Sequence, residues 1–261
     1  MKKNSIGIFD SGIGGTSIWR EIHELLPFED TVYLADSFNA PYGIKTKQEI
    51  IELSRKNTIK LIELGAKIIV VACNTATTNA IDELRNEFNI PFIGIEPAIK
   101  PAALKSQTKT IGILATRGTL SSSLFAKTSD LYTQGLKVIE VEGNGLVELI
   151  EAGKIYSEEM DQLLDHLLVP LKSEPIDHLV LGCSHYPYLI PRLKEKFTSQ
   201  LNIIDSGEAV ARQTKAILEK EKLLNTDFEK KGTCIFFTNN NPEVLKNIIK
   251  NIDFQVKQLD F

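Results

Sequence analysis

Short apolar runs rich in isoleucine and valine alternate along the chain with longer segments whose apolar residues recur at helical spacing. Buried parallel strands give the first pattern, and amphipathic helices give the second. In the first unit, residues 6–9 predict a strand, residues 10–15 a turn, and residues 16–26 a helix that ends at Pro27. The alternation therefore predicts an α/β fold with mainly parallel sheets and helices on both faces.

The alternation continues through the first half of the chain and then starts again. The other elements expected in the first half are strands at 31–35, 68–72 and 92–95, helices at 47–64 and 79–88, and a polar turn at 73–78. After Pro97 and Pro101, the expected elements are strands at 110–114, 137–141 and 178–181, a turn at 115–122, and helices from 123, at 146–152 and after Ser157. We expect a last helix at 208–224 and a last strand at 233–237 to return to the first half.

Composition narrows the class of protein. The chain has 261 residues, of which 43% are apolar and 25% charged, as is typical of globular proteins, and this composition excludes a disordered or collagen-like chain. The formal net charge of −4 leaves no basic surplus for binding nucleic acid. The length suits one large α/β domain or two of about equal size.

The cysteine count and the absence of long apolar runs indicate the compartment. Three cysteines are too few for a disulfide framework and favour a reducing environment. No segment has the pattern of a signal peptide or the length of a membrane span. We therefore expect a cytoplasmic protein with no membrane partner.

Three polar turns follow predicted strands, where ligands of open α/β sheets bind. They are residues 10–15 (Asp-Ser-Gly-Ile-Gly-Gly), 72–77 (Ala-Cys-Asn-Thr-Ala-Thr) and 182–187 (Gly-Cys-Ser-His-Tyr-Pro). The glycines of the first turn would expose backbone amides at a helix N-terminus, a site for a carboxylate or phosphate. A tight turn without a ligand is the alternative, but Asp10 places a carboxylate where an acid or base would act.

Two of the three cysteines occupy matching positions in the two halves. Cys73 lies 63 residues after Asp10, and Cys183 lies 67 residues after Thr116, each between a predicted strand and a predicted helix. A helix N-terminus favours a thiolate, although a structural role is the commoner one for such a cysteine. Two of them, each followed by hydroxyl or amide donors, indicate a functional pair. Cys234 lies inside an apolar run and is interpreted as a core residue.

A thiol at a helix N-terminus still needs a proton acceptor. The ordinary pKa of cysteine is about 8.5, and a helix terminus contributes about 0.3–1 kcal/mol, which is less than one pKa unit. His185 and Asp10 are the candidates, and Asp10 would act by accepting a proton because its charge raises a thiol pKa. Cys183 and His185 are spaced like part of a metal site, but no further ligand cluster accompanies them, so we expect no metal.

Two thiols on opposite sides of one substrate suit the removal of a proton from one face of a carbon and the return of a proton to the other, which is racemisation. No segment indicates a Schiff-base lysine with a phosphate-binding cup, so we expect no pyridoxal cofactor. A non-catalytic module that binds amino acids or nucleotides, with both thiols incidental, is the alternative. A redox role is disfavoured because the chain has no Cys-x-x-Cys.

Seven groups of residues together resemble the cofactor-independent glutamate racemases of bacterial cell-wall synthesis, within the aspartate/glutamate racemase superfamily. They are residues 10–15, Asp36 with 41–43, 72–76, 94–97, 115–116 with Thr119, 181–187 and 205–207. Each is weakly specific alone, but their order and spacing are highly specific and cover nearly the whole chain. The Pro-Tyr-Gly and Cys-Ser-His-Tyr-Pro segments favour glutamate over the alternatives, which are an aspartate or hydantoin racemase or a related isomerase.

The resemblance implies two doubly wound α/β domains related by pseudo-twofold symmetry, with the active site in the cleft between them. The first domain would contain residues 1–98 and 209–261, and the second residues 99–208. The implied activity is the cofactor-independent interconversion of L- and D-glutamate, which supplies D-glutamate for peptidoglycan. The implied assembly is a homodimer.

The resemblance also implies residue roles. Cys73 would exchange the α-proton on the D-glutamate side with help from Asp10, and Cys183 on the L side with help from His185 and Glu151. The residues expected to hold glutamate are Asp10, Ser11, Tyr42, Gly43, Asn74, Thr75, Thr116, Thr119, Ser184 and His185. Two departures concern substrate preference and not the reaction: Ser184 stands where the family usually has threonine, and residues 35–39 differ from the usual run before Pro-Tyr-Gly.

Overall fold

Parallel strands alternate with helices through the computed structural model, which describes residues 5–197, 201–249 and 254–261. The strands of these residues are β1 (Ser5–Asp10), β2 (Asp30–Ala35), β3 (Ala66–Val71), β4 (Phe92–Gly94), β5 (Thr110–Ala115), β6 (Lys137–Glu142), β7 (His178–Gly182), β8 (Asn202–Ile204), β9 (Cys234–Thr238) and β10 (Gln255–Gln258). They form one sheet in the order β10-β9-β2-β1-β3-β4 and a second in the order β6-β5-β7-β8. Neighbouring strands run parallel in both sheets, so the predicted α/β class is confirmed.

The helices connect the strands as crossovers. Those of the described residues are α1 (Thr16–Leu25), α2 (Lys47–Glu63), α3 (Asn74–Glu87), α4 (Ile99–Lys105), α5 (Arg117–Leu120), α6 (Ser123–Tyr132), α7 (Leu146–Glu151), α8 (Glu158–Leu167), α9 (Val169–Lys172), α10 (Ile190–Lys196), α11 (Gly207–Lys220) and α12 (Pro242–Ile248). Short 3₁₀ turns cover Tyr42–Ile44 and Tyr186–Leu189. Within the residues that the structure describes, no helix is both long enough and apolar enough to cross a membrane.

The two sheets repeat one strand order. The series β2-β1-β3-β4 in the first sheet corresponds to β6-β5-β7-β8 in the second. Cys73 comes two residues after β3, and Cys183 comes directly after β7. The two cysteines therefore follow equivalent strands at the carboxyl ends of their sheets.

The predicted turn at 73–78 is wrong, because α3 already begins at Asn74. Cys73 caps this helix: the backbone N–H of Ala76 donates to its sulfur at 3.4 Å. Cysteine is not among the usual N-cap residues, so the sequence contains no ordinary start signal here. The predicted turn at 115–122 likewise contains α5, which the Thr116 hydroxyl caps.

The C-terminal segment extends the first sheet. β9 pairs with β2, and β10 pairs with β9, on the side of the sheet away from β4. Cys234 lies buried in β9, as expected of a core residue. The elements α4, α9, β8, α10, α12 and β10 were not among those predicted. The division into domains of residues 1–98 with 209–261 and of residues 99–208 stays a prediction.

Candidate active site

Cys73 lies between the first sheet and the N-terminus of α3. Besides accepting the N–H of Ala76, its thiol donates to Ser11 Oγ at 3.6 Å. Only 3% of the residue is exposed. Burial raises the pKa of the Cys73 thiol, and the carboxylate of Asp10 raises it further. The thiol therefore holds its proton at neutral pH.

Cys183 lies beside a histidine instead of a serine. Its Sγ is 3.9 Å from His185 Nδ1, and the other ring nitrogen, Nε2, is 2.6 Å from Glu151 Oε1. Burial lowers the pKa of His185, but the hydrogen bonds with Cys183 and Glu151 and the charge of Asp10 outweigh burial, and the pKa is raised well above its usual value. The imidazole is therefore protonated at neutral pH and placed to exchange a proton with Cys183.

Glu151, at the end of α7, is held by three separate segments. Its Oε1 accepts the backbone N–H of Ile13 at 2.6 Å, its Oε2 accepts the hydroxyl of Ser37 at 2.8 Å, and His185 completes the set. A Cβ at Gly12 would lie only 1.9 Å from Oε1, so glycine gives the carboxylate room to approach. The anion site predicted at this turn is thus occupied by one of the protein's own carboxylates.

Asp10 ends β1 and is fully buried. Its carboxylate accepts the Ser184 hydroxyl at 2.8 Å and the Gly12 N–H at 3.0 Å. Burial raises the pKa of Asp10, and the charge of His185 and the Ser184 hydrogen bond offset part of that rise. Asp10 is therefore a better proton acceptor than an exposed aspartate and is bonded directly to the loop after β7.

Both thiols line one small cavity of about 10 Å³, which has room for about one water molecule. Its lining comes from both halves of the chain and consists of Ser11, Pro41, Tyr42, Gly43, Cys73, Asn74, Thr75, Thr116, Val147, Cys183, Ser184 and His185. Three other predicted site residues lie behind this lining: Asp10, Thr119 and Glu151. The fold thus gathers most of the predicted residues around one space.

Threonines join the two halves at one side of the cavity. The Thr75 and Thr116 hydroxyls are 2.9 Å apart, and Thr116 Oγ1 donates to Thr119 Oγ1 at 3.1 Å. Thr119 is fully buried and is not part of the lining, so it is connected to the cavity through Thr116.

Asn74 brings an unpaired amide into the cavity. It is 2% exposed, and neither its Nδ2 nor its Oδ1 has a hydrogen-bond partner among the described residues. Leaving a buried polar group unpaired costs about 1–3 kcal/mol. A ligand with both a donor and an acceptor, such as an amino acid, would pair both atoms.

Several residues of the site were not predicted. Asp36 accepts the Tyr42 hydroxyl, Asn57 donates to the same hydroxyl at 3.0 Å, and Ser37 holds Glu151. Asp36 directly follows β2, as Asp10 ends β1, so a carboxylate at the end of a buried strand was a usable signal. Nothing in the local sequence marks Asn57, which reaches the site from the middle of α2.

This arrangement suits proton transfer on two sides of one carbon. The thiols come from equivalent strands, and each has a different polar neighbour: Ser11 for Cys73 and His185 for Cys183. The cavity lining includes no lysine or arginine among the described residues, so an anionic ligand would be held by amides, hydroxyls and the protonated His185.

Comparisons with known proteins agree with this geometry. Residues 6–214 match the model of the Asp/Glu/Hydantoin racemase family. A glutamate racemase of Herpetosiphon aurantiacus is 42% identical over 242 residues, which cover 93% of this chain and 95% of the relative. The crystal structure of Escherichia coli glutamate racemase in complex with L-glutamate and the activator UDP-MurNAc-ala aligns with a TM-score of 0.84 at 32% identity, over 97% of each chain.

A second solved structure was obtained with the other enantiomer. Glutamate racemase from Francisella tularensis in complex with D-glutamate aligns with a TM-score of 0.84 at 26% identity, over 100% of this chain and 98% of that one. The match to the family model covers more than half of the chain, and the relatives match over nearly their whole length. The chain therefore belongs to the Asp/Glu/Hydantoin racemase family.

Proposed function

We propose that this protein is a glutamate racemase that interconverts L- and D-glutamate without a cofactor, with Cys73 and Cys183 as its two bases. The observation that carries this proposal is that both thiols, from equivalent strands of two sheets, line one cavity. Solved structures similar to this chain hold L-glutamate in one case and D-glutamate in the other, which supports glutamate as the substrate.

On the L side, the Cys183 thiolate takes the α-proton of L-glutamate. The electron pair left on the α-carbon takes the proton of the Cys73 thiol on the opposite face, which gives D-glutamate, a Cys183 thiol and a Cys73 thiolate. The burial that keeps Cys73 protonated suits it to act as the acid in this direction. The protonated imidazole of His185, held by Glu151, lies beside Cys183 and stabilises the thiolate that this direction requires.

On the D side, the same step runs in reverse with Cys73 as the base. Asp10 lies beside this thiol and its pKa is raised by burial, so it is the acceptor that returns Cys73 to the thiolate. No hydrogen bond links Cys73 and Asp10 in this structure; the Cys73 thiol donates to Ser11 instead. Proton exchange would pass through the hydroxyl of Ser11 or through a water beside it.

Neutral polar groups supply most of the contacts to the substrate. Asn74 offers both ends of an unpaired amide, and Ser11, Thr75, Thr116 and Ser184 offer hydroxyls. Tyr42, Gly43 and His185 complete the proposed binding set, while Thr119 acts through Thr116. The proposal also includes a supply of D-glutamate to peptidoglycan, a cytoplasmic location and a homodimer, all of which the family resemblance implies.

Racemisation in D₂O tests the two-thiol mechanism. Starting from L-glutamate, we expect deuterium at the α-carbon of newly formed D-glutamate and not in the remaining L-glutamate early in the reaction, because each face has its own base. Cys73→Ser and Cys183→Ser should each lower kcat at least about a hundredfold, which is the scale of a lost acid or base. Cys234→Ser, in a core strand outside the cavity, is the matched control and should racemise normally.

Two results would contradict the proposal. Full racemisation by either active-site serine variant would remove the two-base mechanism. If a panel of L- and D-amino acids showed exchange for aspartate and none for glutamate, the substrate assignment would be wrong, and binding without any exchange would favour a non-catalytic module.

A further inference from the structure

Asp36 is a buried carboxylate, and the side chains that bond to it within residues 5–197, 201–249 and 254–261 are all neutral. It is 2% exposed and directly follows β2. Its Oδ2 accepts the Tyr42 hydroxyl at 2.5 Å, and its Oδ1 accepts the side-chain amides of Asn39 at 2.7 Å and Asn239 at 2.5 Å. Two of these three donors come from the same loop as Asp36, whereas Asn239 lies 203 residues away. The C-terminal part of the chain thus reaches the loop of residues 36–43.

The side chain of Asn239 uses both ends of its amide on this loop. Its Nδ2 donates to Asp36, and its Oδ1 accepts the backbone N–H of Phe38 at 2.9 Å. The carboxylate of Asp36 needs a donor and the N–H of Phe38 needs an acceptor, and one amide side chain provides both. The amide nitrogen of Asn239 must therefore point to Asp36 and its oxygen to Phe38.

The same loop supplies part of the cavity lining. Tyr42 and Gly43 line the space between the two thiols. The Tyr42 hydroxyl is fixed between Asp36, to which it donates, and Asn57, from which it accepts at 3.0 Å. A shift of Asp36 would move Tyr42, and the glycine beside it packs closely on Thr116, where a Cβ would lie 2.9 Å from the threonine Cβ. The position of the lining therefore depends on what holds Asp36.

We propose that Asn239, on the turn after β9, is a positioning residue that sets the substrate-binding loop 36–43 through Asp36. Its side chain bonds only to this loop among the described residues and does not line the cavity, so it acts on the binding of glutamate and not on proton transfer. This inference rests on the proposed racemase function.

Asn239→Asp is the sharpest variant, because it keeps the size of the side chain and the acceptor for Phe38 but turns an oxygen toward the Asp36 carboxylate. Two facing carboxylates repel each other. We expect KM for both enantiomers of glutamate to rise about tenfold, which corresponds to about 1.4 kcal/mol, with kcat within about twofold of the wild type. Asn240→Asp is the matched control: it adds the same charge one residue away, where the exposed side chain accepts the Asn241 N–H and makes no bond to the loop 36–43, and its KM should not change.

Two further variants complete the experiment. Asn239→Ala removes both hydrogen bonds without adding charge and should raise KM about threefold; it decides the matter if Asn239→Asp does not fold, as judged by circular dichroism. The double variant Asp36→Asn with Asn239→Asp reverses the donor and acceptor and should recover part of the KM lost in Asn239→Asp.

The outcomes separate this inference from the function on which it rests. A wild-type protein that does not racemise glutamate would overturn the proposed function. Wild-type turnover together with an unchanged KM in folded Asn239→Asp or Asn239→Ala would overturn the role of Asn239 alone. A fall in kcat at constant KM would also overturn it, because a positioning residue for binding acts on KM.

Discussion

Cys73 and Cys183 occupy equivalent strand ends, yet their surroundings differ. The Cys73 thiol is buried with a serine and a backbone amide, near a carboxylate that raises its pKa. Cys183 faces a protonated imidazole that a glutamate holds in place. In the proposed mechanism, Cys73 therefore starts as the acid and Cys183 as the base in the conversion of L- to D-glutamate. Each thiol needs a different kind of neighbouring group to assist it.

The effect of Asp10 on Cys73 can be measured by alkylation. Asp10→Asn removes a negative charge beside the thiol, so the pKa of Cys73 should fall and its thiolate fraction should rise. We expect iodoacetamide to modify Cys73 about tenfold faster at pH 8, the change that one pKa unit makes, as followed by peptide mass spectrometry. Racemisation should nevertheless slow in this variant.

Cys234 provides the internal control for this measurement. Burial and the charge of Asp30 raise its pKa, and Asp10 is not among the causes. Its alkylation rate should be the same in both proteins. An unchanged rate at Cys73 would contradict the electrostatic effect, and an equal rise at both cysteines would indicate loosening of the fold.

At the level of single residues, the sequence predicts chemistry better than contacts. Cys73, Cys183 and His185 are recognisable because they follow buried strands with hydroxyl and amide neighbours. The bond of Asn239 to Asp36 is not predictable, because it joins positions 203 residues apart and depends on β9 pairing with β2. The sequence pattern shows only local periodicity, whereas this contact depends on how two strands far apart in the sequence pair with each other.

At the level of the elements, the turn between β1 and α1 contains a glycine that leaves space for the Glu151 carboxylate. The backbone of Gly12 is not in the left-handed region, so glycine is required there because the Glu151 carboxylate comes so close. The end of that side chain can swing away, whereas the backbone cannot. The turn therefore binds the Glu151 carboxylate as well as leading into helix α1.

Gly12→Ala should damage activity more than stability. The added methyl group would displace the Glu151 carboxylate from Ile13 and His185, so we expect kcat/KM to fall at least about tenfold, while the melting temperature changes by only a few degrees. Activity assays and thermal unfolding of the same sample check both parts.

Gly135→Ala is the opposite control. Its φ of +78° lies in the left-handed region, and a Cβ there would meet nothing within 4 Å. Alanine should cost about 1–2 kcal/mol of stability and leave kcat/KM unchanged. If Gly12→Ala behaved like this control, Glu151 would have no part in the reaction.

The element pattern was predictable wherever ordinary signals mark a boundary. Helix α2 begins after Thr46, whose hydroxyl accepts the Glu49 N–H in a capping box, and the prediction of residues 47–64 misses its end by one residue. Helix α3 begins after Cys73, whose capping by sulfur is uncommon, and the prediction missed its first five residues. The same unusual cap that hides the helix start also places the thiol in the cavity.

At the scale of the whole molecule, one buried ion pair fastens the first sheet to the segment after α11. Lys67 Nζ lies 2.6 Å from Glu29 Oε2, with side chains 7% and 2% exposed. Glu29 Oε1 also accepts the backbone N–H of Asn225 at 2.6 Å. The pair thus lies where the chain returns toward β9.

Lys67→Met should destabilise the protein by about 3–5 kcal/mol, because it leaves a buried carboxylate without its cation. Urea unfolding measures the loss, and kcat of the folded fraction should be unchanged since the pair is outside the cavity. Lys47→Met breaks the exposed pair with Glu83, whose side chains are 60% and 38% exposed, and should cost less than about 1 kcal/mol. Equal losses in the two variants would contradict the importance of burial.

The repeat of strand order is the feature of the whole molecule that the sequence only partly predicts. Matching spacings from Asp10 to Cys73 and from Thr116 to Cys183 suggested two similar halves. The structure adds that the first sheet contains two further strands, β9 and β10, beside β2. Strand order depends on which edges pair, and hydrophobic periodicity does not contain that information.

Thermodynamics limits how far the unlike neighbours of the two thiols can make the two directions of the reaction differ in rate. L- and D-glutamate have the same free energy in water, so no catalyst can favour one at equilibrium, however different its two faces are. The values of kcat/KM for the two directions must therefore be equal under the proposed function. Any asymmetry between the Ser11 side and the His185 side can appear only as changes of kcat and KM by the same factor. The enantiomer with the lower KM must then also have the lower kcat.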